Sequence, residues 1–190
     1  MNHASDTTLI EEYLRGKEIA LRMLYERHLP ATFRFVSRLA PKGIDAEDVV
    51  QETFIKAWRH LKRFDKTKSF KTWLFVIAKN TLFDHIKKKQ PALFSSLDVM
   101  EDDESKFFDV EDTRPLPDEI FAQKEARAIL EIALQELGTQ SRAVVVLHVM
   151  EELTFQEIAE VLGEPMNTVK TRYRRAVGML IKKMTEKSKK

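Results

Sequence analysis

The chain has no cysteine among its 190 residues, which excludes disulfides, thiolate nucleophiles and cysteine metal sites and fits a reducing cytoplasm. Glycine is scarce, at five, and proline stands at six. With few alternating apolar and polar segments, this composition points to an almost all-helical protein. Long apolar runs are missing as well. Residues 143–147 make one of the longest, far short of the ~20 residues a membrane-spanning helix needs. The start, MNHASDTTLIEEYL, has no basic segment followed by an apolar one, so no signal peptide is read there. A phosphate-binding glycine loop and an HExxH pair are also absent. The expectation is a chain with no catalytic residue, no metal, no cofactor and no small-molecule substrate, and no insertion into a membrane.

What the sequence does have is charge, unevenly placed. The net charge of +2 hides three blocks. Residues 1–90 carry 18 Lys+Arg against 11 Asp+Glu (+7), residues 91–119 carry 2 against 10 (−8), and residues 120–190 carry 12 against 9 (+3). Two basic blocks around an acidic stretch suggest two nucleic-acid-facing domains, 1–90 and 120–190, on a tether at 91–119. The tether has three prolines and an acidic run and reads as a flexible linker. Its apolar residues Phe94, Leu97, Phe107 and Phe108 are numerous for a passive one, and suit gripping a partner.

The most informative stretch is 153–180, LTFQEIAEVLGEPMNTVKTRYRRAVGML. Phe155, Ile158, Ala159 and Leu162 recur at helical spacing behind Thr154, with Glu157 completing a capping box. Gly163 and Pro165 end that helix, and Asn167 or Thr168 can cap a second. In the second helix Val169, Tyr173, Ala176, Val177 and Leu180 fall on one side, and Asn167, Lys170, Thr171, Arg174 and Arg175 on the other. A helical hairpin with a solvated cationic face is the plainer alternative. The coincidence of cap, break and residue types favours a helix-turn-helix that binds DNA. Upstream, Phe121, Ala128, Ile129, Ile132 and Ala133 mark a long helix stopping near Gly138, and Ser141 can start the next.

The first block begins with a helix around Leu9, Ile10, Tyr13 and Leu14, broken by Gly16. Ala20, Leu21, Leu24 and Tyr25 continue in a second helix. Beyond Pro30 a further segment repeats at Phe33, Val36 and Leu39. In residues 44–61, Ala46, Val50, Phe54, Ala57 and Leu61 face the core, and Asp48, Gln51, Glu52, Ile55 and Arg59 face outward. Two carboxylates one turn apart beside an outward isoleucine fit a docking face for a basic partner and an ordinary acidic surface about equally. The loop 63–70 leads into residues 71–89, where Leu74, Ile77, Ala78, Thr81 and His85 share one side. Another side carries Trp73, Val76, Asn80, Phe83 and Lys87, a mixture that can stack on unpaired bases and hold phosphates. For Trp73, simple packing is an equally good account, and His85 reads as structural.

Together these segments resemble a bacterial RNA polymerase sigma factor of the two-domain extracytoplasmic-function type. LYERH (24–28), DAEDVVQETFIKAW (45–58) and FKTWLFVIAKNTLFDHIKK (70–88) are similar to sigma region two, and LTFQEIAEVLGEPMNTVKTRYRRA (153–176) to region four. The resemblance implies that Asp45, Asp48, Gln51, Glu52 and Ile55 dock on the beta-prime clamp of core RNA polymerase. It implies that Asp65, Lys66, Thr67, Lys68 and Ser69, with Trp73, Asn80, Phe83 and Lys87, open and read the minus-ten promoter element. It assigns Asn167, Lys170, Thr171, Arg172, Arg174 and Arg175 to the minus-thirty-five element. Further implied partners are the beta flap and an anti-sigma factor. The implied fold is all-α, two small helical domains on an acidic linker, working in the cytoplasm.

The sequence departs from the family in three places. Gly138 and its neighbours stand where a proline turn is usual, Gly178 sits late in the recognition helix, and Glu164 brings an acid to that helix's start. The rival class is a conventional helix-turn-helix regulator, which would lack the constellation at 44–89 and would usually bring a receiver or a ligand pocket.

Overall fold

The computed structural model describes residues 4–89 and 132–187, with side chains to residue 182. The expected linker at 91–119, and Phe121, Ala128 and Ile129, lie outside the described residues. All regular structure among the described residues is helical.

Helix α1 (Asp6–Leu14) starts where the Ser5 hydroxyl accepts the Thr8 N–H at 3.1 Å, and the chain turns at Gly16 with φ 96°. Its buried residues, Leu9 and Ile10, pack on α2 (Glu18–Leu39). Asp6 fastens the pair by accepting from Arg27 at 2.6 Å and His28 at 2.8 Å. Burial alone would raise the Asp6 carboxyl, but hydrogen bonds and charge from His28 and Arg27 hold it below its usual range.

The expectation of a new segment after Pro30 is corrected, because α2 runs unbroken through it. Proline removes one backbone donor at a cost of about 3 kcal/mol inside a helix. Leu24 and His28 before it, and Thr32, Phe35 and Leu39 after it, form one buried stripe whose packing offsets that loss. The continuous helix also resets the phase. Phe33 is exposed at 39%, and Phe35 takes the core position.

Helix α3 (Ala46–His60) is capped by Asp45, whose carboxylate accepts the Glu47 N–H at 2.8 Å. Val49, Val50, Thr53, Phe54 and Ala57 are buried. Helix α4 (Phe70–Lys89) is buried around most of its girth, at Phe70, Thr72, Leu74, Phe75, Ala78, Thr81, Leu82 and Ile86. Helices α2 and α3 cover part of it, and a helix from the second half of the chain covers another part.

In the second unit a helical turn at 132–135 ends under Arg142. The Arg142 guanidinium donates to the carbonyls of Leu134, Gln135 and Leu137 at 2.8–2.9 Å. This cation satisfies the orphan carbonyls of the helix end. Helix α5 (Thr139–Val145) follows directly from Gly138, and its first bond runs from the Arg142 N–H to the Gly138 carbonyl at 2.9 Å. The expectation that Ser141 starts it is corrected: Ser141 lies inside the helix and is buried. The helix continues as a π-helical stretch at Val146–Met150.

Helix α6 (Phe155–Leu162) opens with the expected capping box between Thr154 and Glu157 and closes on Gly163 at φ 73°. Helix α7 (Met166–Lys187) begins earlier than Asn167 or Thr168, since the Val169 N–H already bonds the Pro165 carbonyl at 3.1 Å. Pro165 has the φ a helix entry needs and no N–H to leave unpaired. The rings of His148, Phe155 and Tyr173 contact one another with centroids 4.3–5.3 Å apart, fixing α6 and α7 to the end of α5.

Gly178 lies exposed within α7, and a Cβ built there would meet nothing within 4 Å. Gly178→Ala should therefore stabilise the helix by about 1 kcal/mol. An unchanged or lower thermal midpoint of the full chain would contradict this.

Candidate functional site

Three surfaces carry the residues singled out by the sequence. The first is the outer face of α3. Asp48, Gln51 and Arg59 are exposed, and Ile55 is 49% exposed, a large apolar side chain in solvent among charges. The two carboxylates are not equivalent. Among the described residues none pairs with the Asp48 side chain. Glu52 accepts from His85 of α4 at 2.7 Å and pairs with Lys56 at 3.0 Å, and Lys56 reaches Asp84 at 3.3 Å. The hydrogen bond from His85, with that from Lys56, holds the Glu52 carboxyl below its usual range. His85 is thus structural as expected, but its partner is a residue of the outer face.

The second surface is the 65–69 loop with α4. Asp65 accepts the Thr67 N–H at 3.0 Å and its hydroxyl at 2.7 Å, and those bonds hold the Asp65 carboxyl below its usual range. The Lys68 N–H closes the turn on the Asp65 carbonyl at 3.0 Å, and Ser69 accepts the Thr72 N–H at 3.2 Å at the head of α4. Lys66 pairs with Glu11 at 3.1 Å. Trp73 is half-buried against Phe64 and Phe70, with centroids at 5.0 and 5.6 Å, so it braces the loop from beneath. Asn80 and Lys87 are exposed. Phe83 is half-buried, with the Lys79 ammonium 6.0 Å from its ring centre.

The third surface is the open face of α7. Val169, Ala176 and Leu180 are buried. Asn167, Thr171 and Arg174 are exposed and Lys170 is half-exposed. Among the described residues none pairs with Lys170 or Arg174. Arg172 points elsewhere: it is 13% exposed and bonds the Glu164 carboxylate, so the acid at the helix start has its own counter-charge. Arg175 is half-buried.

The second and third surfaces belong to units that touch. Helix α6 packs on α4, and one apolar core runs without a break from Leu9 to Val169. Lys68 of the loop reaches Glu160 at 3.3 Å, the Thr72 hydroxyl donates to Glu157 at 3.0 Å, and Lys79 donates to the Leu162 carbonyl at 3.3 Å. Sequence reasoning missed this seam, along with Arg34, Arg142, His148 and Glu151. Only the buried-type residues Thr72 and Phe75, on the flank of α4 away from its expected core side, hint at it. No group of His, Asp or Glu among the described residues is placed to hold a metal ion, and no described helix is long and apolar enough to cross a membrane.

Both units of the chain match known protein families. The Sigma-70 region 2 family matches residues 24–91 and the Sigma-70, region 4 family matches residues 127–180. The ECF RNA polymerase sigma factor SigW of Bacillus subtilis is 28% identical over 178 residues, covering 93% of this chain and 95% of the relative. The ECF RNA polymerase sigma-E factor of Escherichia coli K12 is 31% identical over 175 residues, covering 90% of each. Among solved structures, CnrH in complex with the cytosolic domain of CnrY aligns with a TM-score of 0.66 at 26% identity, over 96% of this chain and 99% of that one. Two region families in their proper order, and a relative above 30% identity over nine-tenths of both chains, show that this chain belongs to the ECF family of RNA polymerase sigma factors.

Proposed function

We propose that the chain binds core RNA polymerase, directs it to specific promoters and helps open the DNA for initiation. It acts as a subunit and not as an enzyme, and works in the cytoplasm, where polymerase and chromosome are. The observation that carries this reading is the coexistence, in one chain, of the α3 face around Asp48 and Ile55 with the open cationic face of α7. A regulator acting alone needs only the second. Asp45, Asp48, Gln51, Glu52 and Ile55 contact the beta-prime clamp, with the Ile55 side chain as the apolar centre of a charged rim. The beta flap takes part of the second unit. The boundaries 1–90, 91–119 and 120–190 separate the docking and melting domain, the linker and the minus-thirty-five domain. An anti-sigma factor holds the chain back. What supports a protein partner is that CnrH, to which this chain is similar, is in complex with the cytosolic domain of CnrY.

The direct test is transcription in vitro by core polymerase with and without the chain, followed by mapping of the start sites. Promoter-specific starts that depend on the chain are the expected result. Tight operator binding by the chain alone, with no effect on polymerase, would favour the conventional regulator.

At the minus-ten element the exposed Asn80, with Phe83, Lys87 and the 65–69 loop, faces the displaced strand. Asn80→Ala should lower open-complex formation at a duplex promoter several-fold, since a lost hydrogen bond is worth about 1 kcal/mol. A template with a pre-opened bubble should recover part of that loss. Equal loss on both templates would mean that Asn80 reads a base or supports the fold and has no part in melting.

A further inference from the structure

The Glu52 carboxylate, on the outer face of α3, has both oxygens engaged, and its two partners differ in kind. Oε2 accepts from His85 Nε2 of α4 at 2.7 Å, while Oε1 lies 3.0 Å from the Lys56 ammonium, one turn along the same helix. An ionised carboxylate can only accept, so the imidazole proton at this contact sits on Nε2. The Lys56 ammonium has a second acid within reach, Asp84 of α4, whose Oδ2 stands 3.3 Å away. Glu52 is thus shared between two donors, and one of those donors is shared between two acids.

The two donors hold Glu52 with different firmness. The His85 side chain is 19% exposed and lies on the side of α4 that also carries the buried Leu74, Ala78 and Thr81. Its ring is set between the two helices, and it reaches Glu52 from a different element. Lys56 is more exposed, at 32%, and carries its charge on a flexible four-carbon stem with three donors free to change acceptors. An ion pair between exposed side chains is worth little and is easily exchanged. Asp84 is open to solvent and has no other cationic partner among the described residues. If Lys56 leaves Glu52 Oε1, its ammonium remains paired, now with Asp84 alone.

We propose that Lys56 is a placeholder on the docking face. A cation of the polymerase clamp takes Glu52 Oε1, Lys56 passes to Asp84, and His85 is the positioning residue that keeps the carboxylate aimed outward through the exchange. The proposal rests on the docking face read at Asp48, Glu52 and Ile55 and deepens it. The clamp gains only the difference between its own pair with Glu52 and the one that Lys56 gives up. Loss of the Lys56 charge therefore tightens docking, although it removes a contact between α3 and α4. A Lys56 that served only to hold the helices together would give the opposite sign.

Competition for core polymerase against a labelled copy of the unsubstituted chain measures this with full-length variants, and circular dichroism monitors that the helices persist. Lys56→Gln should raise the affinity about two- to fivefold. In a Glu52→Gln background the same change should have no effect, and this cycle separates the exchange from the altered net charge. His85→Ala should lower the affinity about fivefold. His85→Gln keeps a neutral N–H donor and should recover most of that loss. The idea is overturned if Lys56→Gln leaves docking unchanged or weakens it, if its gain persists without the Glu52 carboxylate, or if His85→Gln is as impaired as His85→Ala. Failure of the docking reading looks different: Asp48→Lys and Glu52→Gln would then both bind core polymerase as tightly as the unsubstituted chain.

Discussion

Reversing Asp48 and Glu52 to lysine should abolish co-elution with core RNA polymerase, while the helix content and the DNA affinity of the second unit remain. Losing one partner of a desolvated charge pair at an interface costs about 2–5 kcal/mol, so the double reversal should weaken binding by at least about a hundredfold. The structure divides this effect between the two positions. Asp48 has no ion-pair partner among the described residues, so its charge is wholly available to the clamp. Glu52 is already shared between His85 and Lys56. A lysine at 52 also faces the Lys56 ammonium of its own molecule, loses the hydrogen bond with His85 and loosens α3 on α4. Asp48→Lys alone is therefore the cleaner variant and should account for most of the loss. Near wild-type co-elution of the double variant would remove this face from the docking surface.

The elements legible in the sequence were those whose signals are local. The Thr154–Glu157 capping box, the Gly163 stop, the Gly16 break and the buried stripe of α3 depend on residues within a turn or two of one another, and each is present. Where long-range packing decides, local signals mislead. Pro30 reads as a break until α2 is seen to bury both flanks of it on one stripe. Ser141 reads as a cap until Arg142 is seen to close the preceding turn and draw the helix start back to Gly138. Helix α4 shows no clean apolar face because it has neighbours on several sides, one of them from some 80 residues further along. A carboxylate such as Glu151 carries no sign in the sequence that two cations of another unit, Arg34 and Lys71, will bury it.

The site residues divide in the same way. The exposed face of α7 follows from helical phase alone once Val169 and Ala176 are assigned to the core. The pairing of Arg172 with Glu164 does not, because it requires the α6–α7 turn to bring an acid eight positions back beside the arginine. That turn depends on the left-handed Gly163 and on Pro165, which together fold the chain tightly enough for the contact.

The division of labour within α7 yields the other large effect. Arg174 is exposed, has no partner among the described residues and lies one turn beyond Lys170 on the face away from Val169 and Ala176. An arginine on the groove-facing side of a recognition helix can bond guanine O6 and N7 together, a contact worth roughly 1–3 kcal/mol of base discrimination. Arg174→Ala should thus lower transcription from the preferred promoter by roughly 5- to 150-fold and relax the base preference at one minus-thirty-five position. Arg175→Ala should do the same at another position if its half-buried side chain swings to the groove on binding. Lys170, a point charge on a flexible stem, suits a phosphate. Lys170→Ala should weaken all promoters alike and reduce the salt dependence by about one counterion. Arg172, engaged with Glu164, should act chiefly through the shape of the turn, so Arg172→Ala should lower stability without changing base preference. A promoter library scored by transcription separates these patterns. Uniform loss with unchanged preference for both Arg174→Ala and Arg175→Ala would mean that the arginines only seat the helix, and that sequence is read from Asn167 and Thr171 at its N-terminal end.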